Sequence, residues 1–600
     1  MRFIALGIFI IAHFNSTGQS LHEDNYIQFY LGRSIQRAQL AGESGLGKFI
    51  LFKNMPAVWV TEYHQDNSLT SIDGLFGNVG VVQRELHRNN FLLDFRGNSL
   101  GELDANAFGH LEFNKISTQL SINGHWNNTK TDQNKDNFLD LPLKKRLLVQ
   151  NQWAVNTKRY SSINRILYLG LDQTAGQTHF NKKIDRLSSN VYGMGDLVHH
   201  VVAESYNYIT PRARDLLIID LKLVDHNQKS FYGLREYNAK EWLTDLGAHY
   251  IYKLNKIDAF HFGLNYKYQN FRENFDTLQL VRKESVGGGY LGYETYFGKK
   301  VQLSTRINIH YHNLAKFFIS PQVRLNWIIT DFFRASLWAG NGMRYANILS
   351  ENTHLLTSSR QITIKEPLRA EQAWHYGASF SFQEWIVDRL YCNIDLQFSQ
   401  THYLNKTILD LDYNPYSILF YNLDGIAQKT SIEIDARFRL DRPFIGLNLD
   451  YRMDWTASTI NQIYAQEPLY SVHHVLLGVD YNLKIQRRWI VQFGLQYHYA
   501  SPQRLPDISS KTNGSSYPFQ TTAIHQLNME LTLPFFNWFR HQNKWTNFTF
   551  YFGLNNLLNQ TQPLPAVAHE APFSPNFDAG MQWNTTVGRR FYGGVRYLFR

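Results

Sequence analysis

The chain has 600 residues; 44% are hydrophobic and 15% aromatic, yet the mean hydropathy is −0.37. No internal stretch reaches the ~20 consecutive apolar residues of a membrane helix, and Cys392, the only cysteine, excludes an internal disulfide or a cysteine-based zinc site. The net charge of +10 comes without a compact basic motif, so nucleic acid is not expected as a partner, and anionic lipids or anionic ligands are.

In chain order, Met1-Arg2 is followed by the apolar run Phe3–Phe14 and by small residues at Ser16 and Gly18. That is the pattern of a secretory signal over 1–18, with a mature start near Gln19. Residues 19–78 form a short N-terminal segment, and from 79 to 600 one pattern recurs. Within Glu102–Phe113, Leu103, Ala105, Ala107, Gly109, Leu111 and Phe113 fall on one side. Asp104, Asn106, His110 and Glu112 fall on the other, interrupted by Phe108. Ile116–Trp126 repeats the alternation, and Ser431–Leu440 sets Ile432, Ile434, Ala436, Phe438 and Leu440 against Ser431, Glu433, Asp435, Arg437 and Arg439. Ile445–Met453, Val475–Leu483, Trp489–Tyr499 and Leu527–Leu531 follow.

Period two over about 9–11 residues predicts strands long enough to cross a bilayer, against the five or six usual in soluble sheets. The competing architecture, a string of soluble β-sandwiches, also alternates but in shorter strands. Short turns such as Asp441-Arg442-Pro443 alternate with long polar stretches near 127–143, 174–213, 341–370, 455–473, 500–522 and 555–577. The two rims of an outer-membrane barrel differ in that way. The fold class expected is all-β: a transmembrane antiparallel β-barrel of about 22 strands. It closes on Gly588–Phe599 (GRRFYGGVRYLF), where Phe591, Val595, Tyr597 and Phe599 share a face. Glu433, Asp435, Arg437, Arg439, Asp450 and Arg452 lie on the inner face, which must therefore meet water or a polar plug.

Several residues are candidates for binding. Asp132, Asn134, Asp136, the carbonyl of Phe138 and Asp140 have the alternate-position oxygen spacing of a Ca²⁺ loop, although Asn137 stands where glycine is wanted and Leu143 where glutamate is. His199-His200, His310 and His312 could offer imidazoles to a metal or metal chelate. Arg437 and Arg439 could draw anionic ligands into a lumen or pair with neighbouring carboxylates. No catalytic motif is present, so an enzyme is not expected and no cofactor beyond the Ca²⁺ loop suggests itself.

GELDANAFGHLEF (101–113), DQNKDNFLDLPL (132–143), SFYGLREY (230–237), LFYNLDG (419–425), FGLNNLLNQTQPLP (552–565) and the closing segment occur in an order that resembles TonB-dependent outer-membrane receptors. The likeness is to the Bacteroidetes-type, ferrienterochelin/colicin-receptor-like members and spans roughly residues 80–600. It implies the outer membrane of a Gram-negative bacterium, uptake of a siderophore-like metal chelate or similar nutrient, and coupling to the TonB complex, with a surface lipoprotein as a further partner. About sixty residues, 19–78, stand where the family carries a larger globular plug, and no Ton box is recognisable there. SIDGLFGNVGVVQREL (71–86) is similar to the last plug segment. The second reading is therefore a plug-deficient passive channel or a structural component of an envelope complex.

Overall fold

The alternation is realised as a single antiparallel sheet that closes on itself. The computed structural model describes residues 90–599 except 213–214, 442, 487–488, 509–510, 512–517, 537–545 and 563–565, together with 54, 56, 60–66 and 78–83. The expected signal, 1–18, and most of 19–78 lie outside the described residues. Among the described residues Val60–Asp66 and Asn78–Gln83 pair only with each other, so the barrel begins at Phe91–Asn98 and not at residue 79. Its 22 long strands end at Arg590–Phe599, which returns to the first strand in the register Tyr592↔Asn98 to Phe599↔Phe91. No edge is left open, which removes the unpaired backbone groups that hydrocarbon would not tolerate.

Side chains divide as the pattern requires. Leu264 is 71% exposed and Phe317 76% on the outer wall. Phe108, the exception to alternation, points inward beside Asn106 and is buried. Strands range from 8 residues (Phe91–Asn98) to 20 (Leu278–Phe297), beyond the expected 9–11. The extra length carries polar residues on both faces, so its hydropathy does not alternate.

All the long connections emerge at one rim, here called the loop rim: 128–142, 177–192, 345–370, 406–426, 461–472, 501–523 and 556–589. At the opposite, turn rim the connections span two to nine residues. Two expected loops shrink. Gly193–Ile209, within the stretch 174–213, is a strand, and Phe444–Ile460 carries a strand five residues past the expected loop start at 455.

The long loops fold together into a cap. Gln361–Ile364 pairs parallel with Ser417–Asn422, which pairs antiparallel with Thr407–Asp410. A 3-10 turn, Ser350–Thr357, packs beside them. Ile348, Leu355, Leu411, Ile418, Phe420 and Met581 form a dry cluster that rests on Tyr237, Phe271 and Phe275 of the wall. A second cluster joins Phe138, Tyr192 and Phe577. Full burial of such side chains contributes roughly 1.5–3 kcal/mol each.

Candidate functional site

Below the cap the inner wall is charged, and its charges are matched across neighbouring strands. Asp454 is ion-paired with Arg452, Nε at 2.5 Å, and accepts from Lys429 Nζ (3.1 Å) and Ser431 Oγ (2.6 Å). Arg596 Nε lies 2.8 Å from Asp94, whose other oxygen accepts from Tyr551 at 3.1 Å, tying the closing strand to the first. Glu204 is shared by Arg165 and Lys222, and Asp104 by Arg146 and His125. Each charge gains a partner that offsets the cost of removing it from bulk water. With these charges compensated, the wall can border a wet or plugged lumen.

Directly under the cap a small chamber is bounded by Lys267, Glu284, His310, His312, Arg344 and Tyr345. His312 Nε2 is 3.3 Å from Glu284, and its ring faces Tyr345 at 5.3 Å. Arg344 bridges two carboxylates, Glu351 at 2.5 Å and Glu371 at 2.8 Å. Because Glu351 sits in the first turn of the 3-10 segment, Arg344 fastens the cap to the wall. Glu273 does the same from another strand: it accepts from Tyr237 Oη (2.7 Å) and from the Ser350 amide (3.1 Å).

The cap has its own buried ion cluster. Asp578 and Arg360 meet at 2.8 Å, Lys511 approaches the same oxygen at 3.5 Å, and all three side chains are fully buried. Burial pulls the Lys511 ammonium down to about 8, opposed by the attraction of Asp578. Residues 360, 511 and 578 come from three different loops, so this cluster staples the cap together. On its outer surface Tyr413 and Phe519 are exposed, 61% and 77%, beside the Arg504–Asp412 pair at 2.9 Å. Aromatic and cationic groups at the mouth suit a planar or anionic ligand.

The sequence candidates do not converge on one place. His310 and His312 point inward and line the chamber. His200 also points inward, its ring 5.4 Å from that of His226. His199 faces outward, where Tyr168 Oη lies 3.0 Å from its Nδ1, so it is neither a loop nor a lumen residue; adjacent strand positions point to opposite faces. Arg437 pairs with Asp435 at 2.8 Å, and Arg439 is exposed near the turn rim, both at the far end of the lumen from the chamber. Asp132, Asn134, Asp136 and Asp140 do gather in one loop, but their oxygens accept from backbone amides of the same loop, such as Asp132 from Asn137 (3.0 Å) and Asp140 from Gln133 (2.6 Å). Burial, then the neighbouring Asp132 and Asp136, raises the Asp140 carboxyl above the usual range. Among the described residues no group of three or more His, Cys, Asp or Glu side chains is arranged to hold a metal ion. Sequence reasoning missed Arg344, Glu273 and the Arg360–Asp578–Lys511 staple, since no local spacing connects their partners.

No family model matches the chain, and no curated protein matches it. Solved structures do. The ferric enterobactin receptor PfeA of Pseudomonas aeruginosa superposes with a TM-score of 0.63 at 10% identity, covering 91% of this chain and 86% of that one. The FrpB iron transporter of Neisseria meningitidis gives 0.62 at 10%, over 90% and 88%. The siderophore receptor PirA of Acinetobacter baumannii gives 0.60 at 11%, over 88% and 82%. The fold is that of these receptors. At such identity the likeness concerns the arrangement of the chain, and chemistry must be argued from its own residues.

Proposed function

We propose that this protein is an outer-membrane receptor of TonB-dependent type that takes up a metal chelate, siderophore-like, from outside a Gram-negative cell. The observation that carries the reading is the closed barrel whose long loops all lie on one rim and fold into a stapled cap over a charged lumen. A passive pore does not need such a cap; a receptor that captures first and admits later does. The siderophore and iron receptors of like fold support the same reading. Tyr413, Phe519 and Arg504 would make first contact, and Lys267, His310 and His312 would receive the ligand beneath. The metal is cargo here, and no catalytic step or resident cofactor enters the mechanism. Energy would come from the TonB complex, and a surface lipoprotein could assist capture at the loop rim.

The test is direct. Purified protein in detergent is titrated with ferric catecholate, hydroxamate and citrate chelates, following tryptophan fluorescence. Uptake of the chelate that binds is then measured in cells with and without the gene, and with the proton gradient dissipated. Binding of one chelate class, with uptake lost in both controls, is expected. Steady ion conductance in planar bilayers with no chelate bound would favour the passive channel instead.

A further inference from the structure

The outer wall carries a feature that capture and uptake do not use. Four cations, Lys229, Lys240, Arg272 and Lys283, stand exposed on four consecutive strands, Leu216–Tyr232, Arg235–Lys253, Ala259–Phe275 and Leu278–Phe297. Their inward neighbours Gln228, Glu241, Phe271 and Glu284 are buried, which fixes the four on the outer face. Lys240 and Arg272 are directly opposite in the ladder. Lys229 and Lys283 flank them one diagonal step away, facing Asn238 and Asn270. Like charges so placed repel each other, and among the described residues no ion pair engages any of the four. Two exposed carboxylates stand diagonal to the cluster: Asp225, opposite Trp242, beside Lys240, and Glu236, opposite Phe231, beside Lys229, the latter already paired with Arg186 at 2.7 Å.

Height along the wall is the second observation. Three of the cations stand thirteen residues from the turn-rim ends Leu216, Lys253 and Ala259, and Lys283 stands fourteen from Phe297. At ~3.3 Å per residue and a tilt of ~40°, that is roughly 30–35 Å above the turn rim. Below them the same strands expose Trp242 (47%), Leu246 (43%) and Leu264 (71%), the surface that would face lipid. The cations therefore sit where an apolar band of about 25 Å ends and headgroups begin.

We propose that Lys229, Lys240, Arg272 and Lys283 form a binding site for the phosphorylated headgroup of an outer-leaflet glycolipid. Phosphate brings the charge that the cluster lacks and acceptor oxygens for guanidinium and ammonium donors. Acyl chains would lie along the apolar wall directly beneath. The inference rests on the outer-membrane reading, and its test separates the two.

Protein purified in a non-ionic detergent is incubated with bisphosphorylated lipid A or with its dephosphorylated form, and bound lipid is counted by native mass spectrometry. The wild type should favour the phosphorylated form by about tenfold or more, since each cation near an anionic surface contributes on the order of one such modest step. The variant Lys229→Gln/Lys240→Gln/Arg272→Gln/Lys283→Gln should lose the preference, and Lys240→Gln/Arg272→Gln should lose part of it, with heat-modifiable gel migration confirming a folded barrel. No preference in the wild type would overturn the proposal, whatever the variants do. A preference that survives in a folded variant, or displacement of the lipid by millimolar inorganic phosphate, would overturn it too. A protein soluble without detergent would instead overturn the membrane reading itself.

Discussion

At the scale of single residues, Asp578 is the charge on which the cap's ion cluster turns. Among the described residues it is the one carboxylate paired with two fully buried cations, Arg360 and Lys511. Asp578→Ala would leave both buried without it, a loss on the order of 3–5 kcal/mol to the cap. Limited trypsin digestion should then cut within the cap loops at temperatures where the wild type resists; equal resistance would refute the staple. Proton linkage gives a second expectation. Lys511 titrates near 8 in the folded cap and near its ordinary 10.5 once opened. Between these values opening takes up a proton, so raising the pH opposes it. Cap protection, followed by hydrogen exchange, should therefore grow from about pH 8 to about 10.5, and Lys511→Met should flatten that slope.

At the scale of elements, closure depends on fit at the seam. A side chain at Gly594 would place its Cβ 2.2 Å from the Tyr551 ring, and that tyrosine bonds Asp94 of the first strand. Gly594→Leu must displace the ring and break that bond, so the folded, heat-modifiable form should drop sharply in yield. Unchanged yield would mean that the seam does not rely on this contact. The strands themselves were readable where lipid imposes contrast. Ser431–Leu440 and Leu103–Phe113 alternate because one side would meet hydrocarbon and the other polar groups. The upper half of Gly193–Ile209 was not readable, because above the lipid both faces can be polar and a His-His pair reads as loop. The boundary at 79 failed for a related reason: Asn78–Gln83 has strand-like composition, but its partner is Val60–Asp66.

At the scale of the whole molecule, the outer wall distinguishes a membrane protein from a soluble one. Leu264 lies five residues from its turn-rim end, within the apolar band. Leu264→Arg should destabilise the bilayer-embedded barrel by about 2–4 kcal/mol, while Leu264→Phe changes little. Urea unfolding in lipid vesicles would show it, and equal effects of the two substitutions would count against lipid contact.

The sequence by itself determined the class of fold, the closing strand, the sidedness of most strands and the places of the longest loops. These follow from local contrast, since a period-two pattern needs only its own neighbours to declare which face is apolar. Tertiary structure alone decided that the loops form a cap, that His310 and His312 share a chamber while His199 faces outward, and that Arg360 meets Asp578. Those partners stand 218 residues apart, and hydrogen-bonded charges have no periodicity: any carboxylate could answer any guanidinium until the barrel brings one pair within reach.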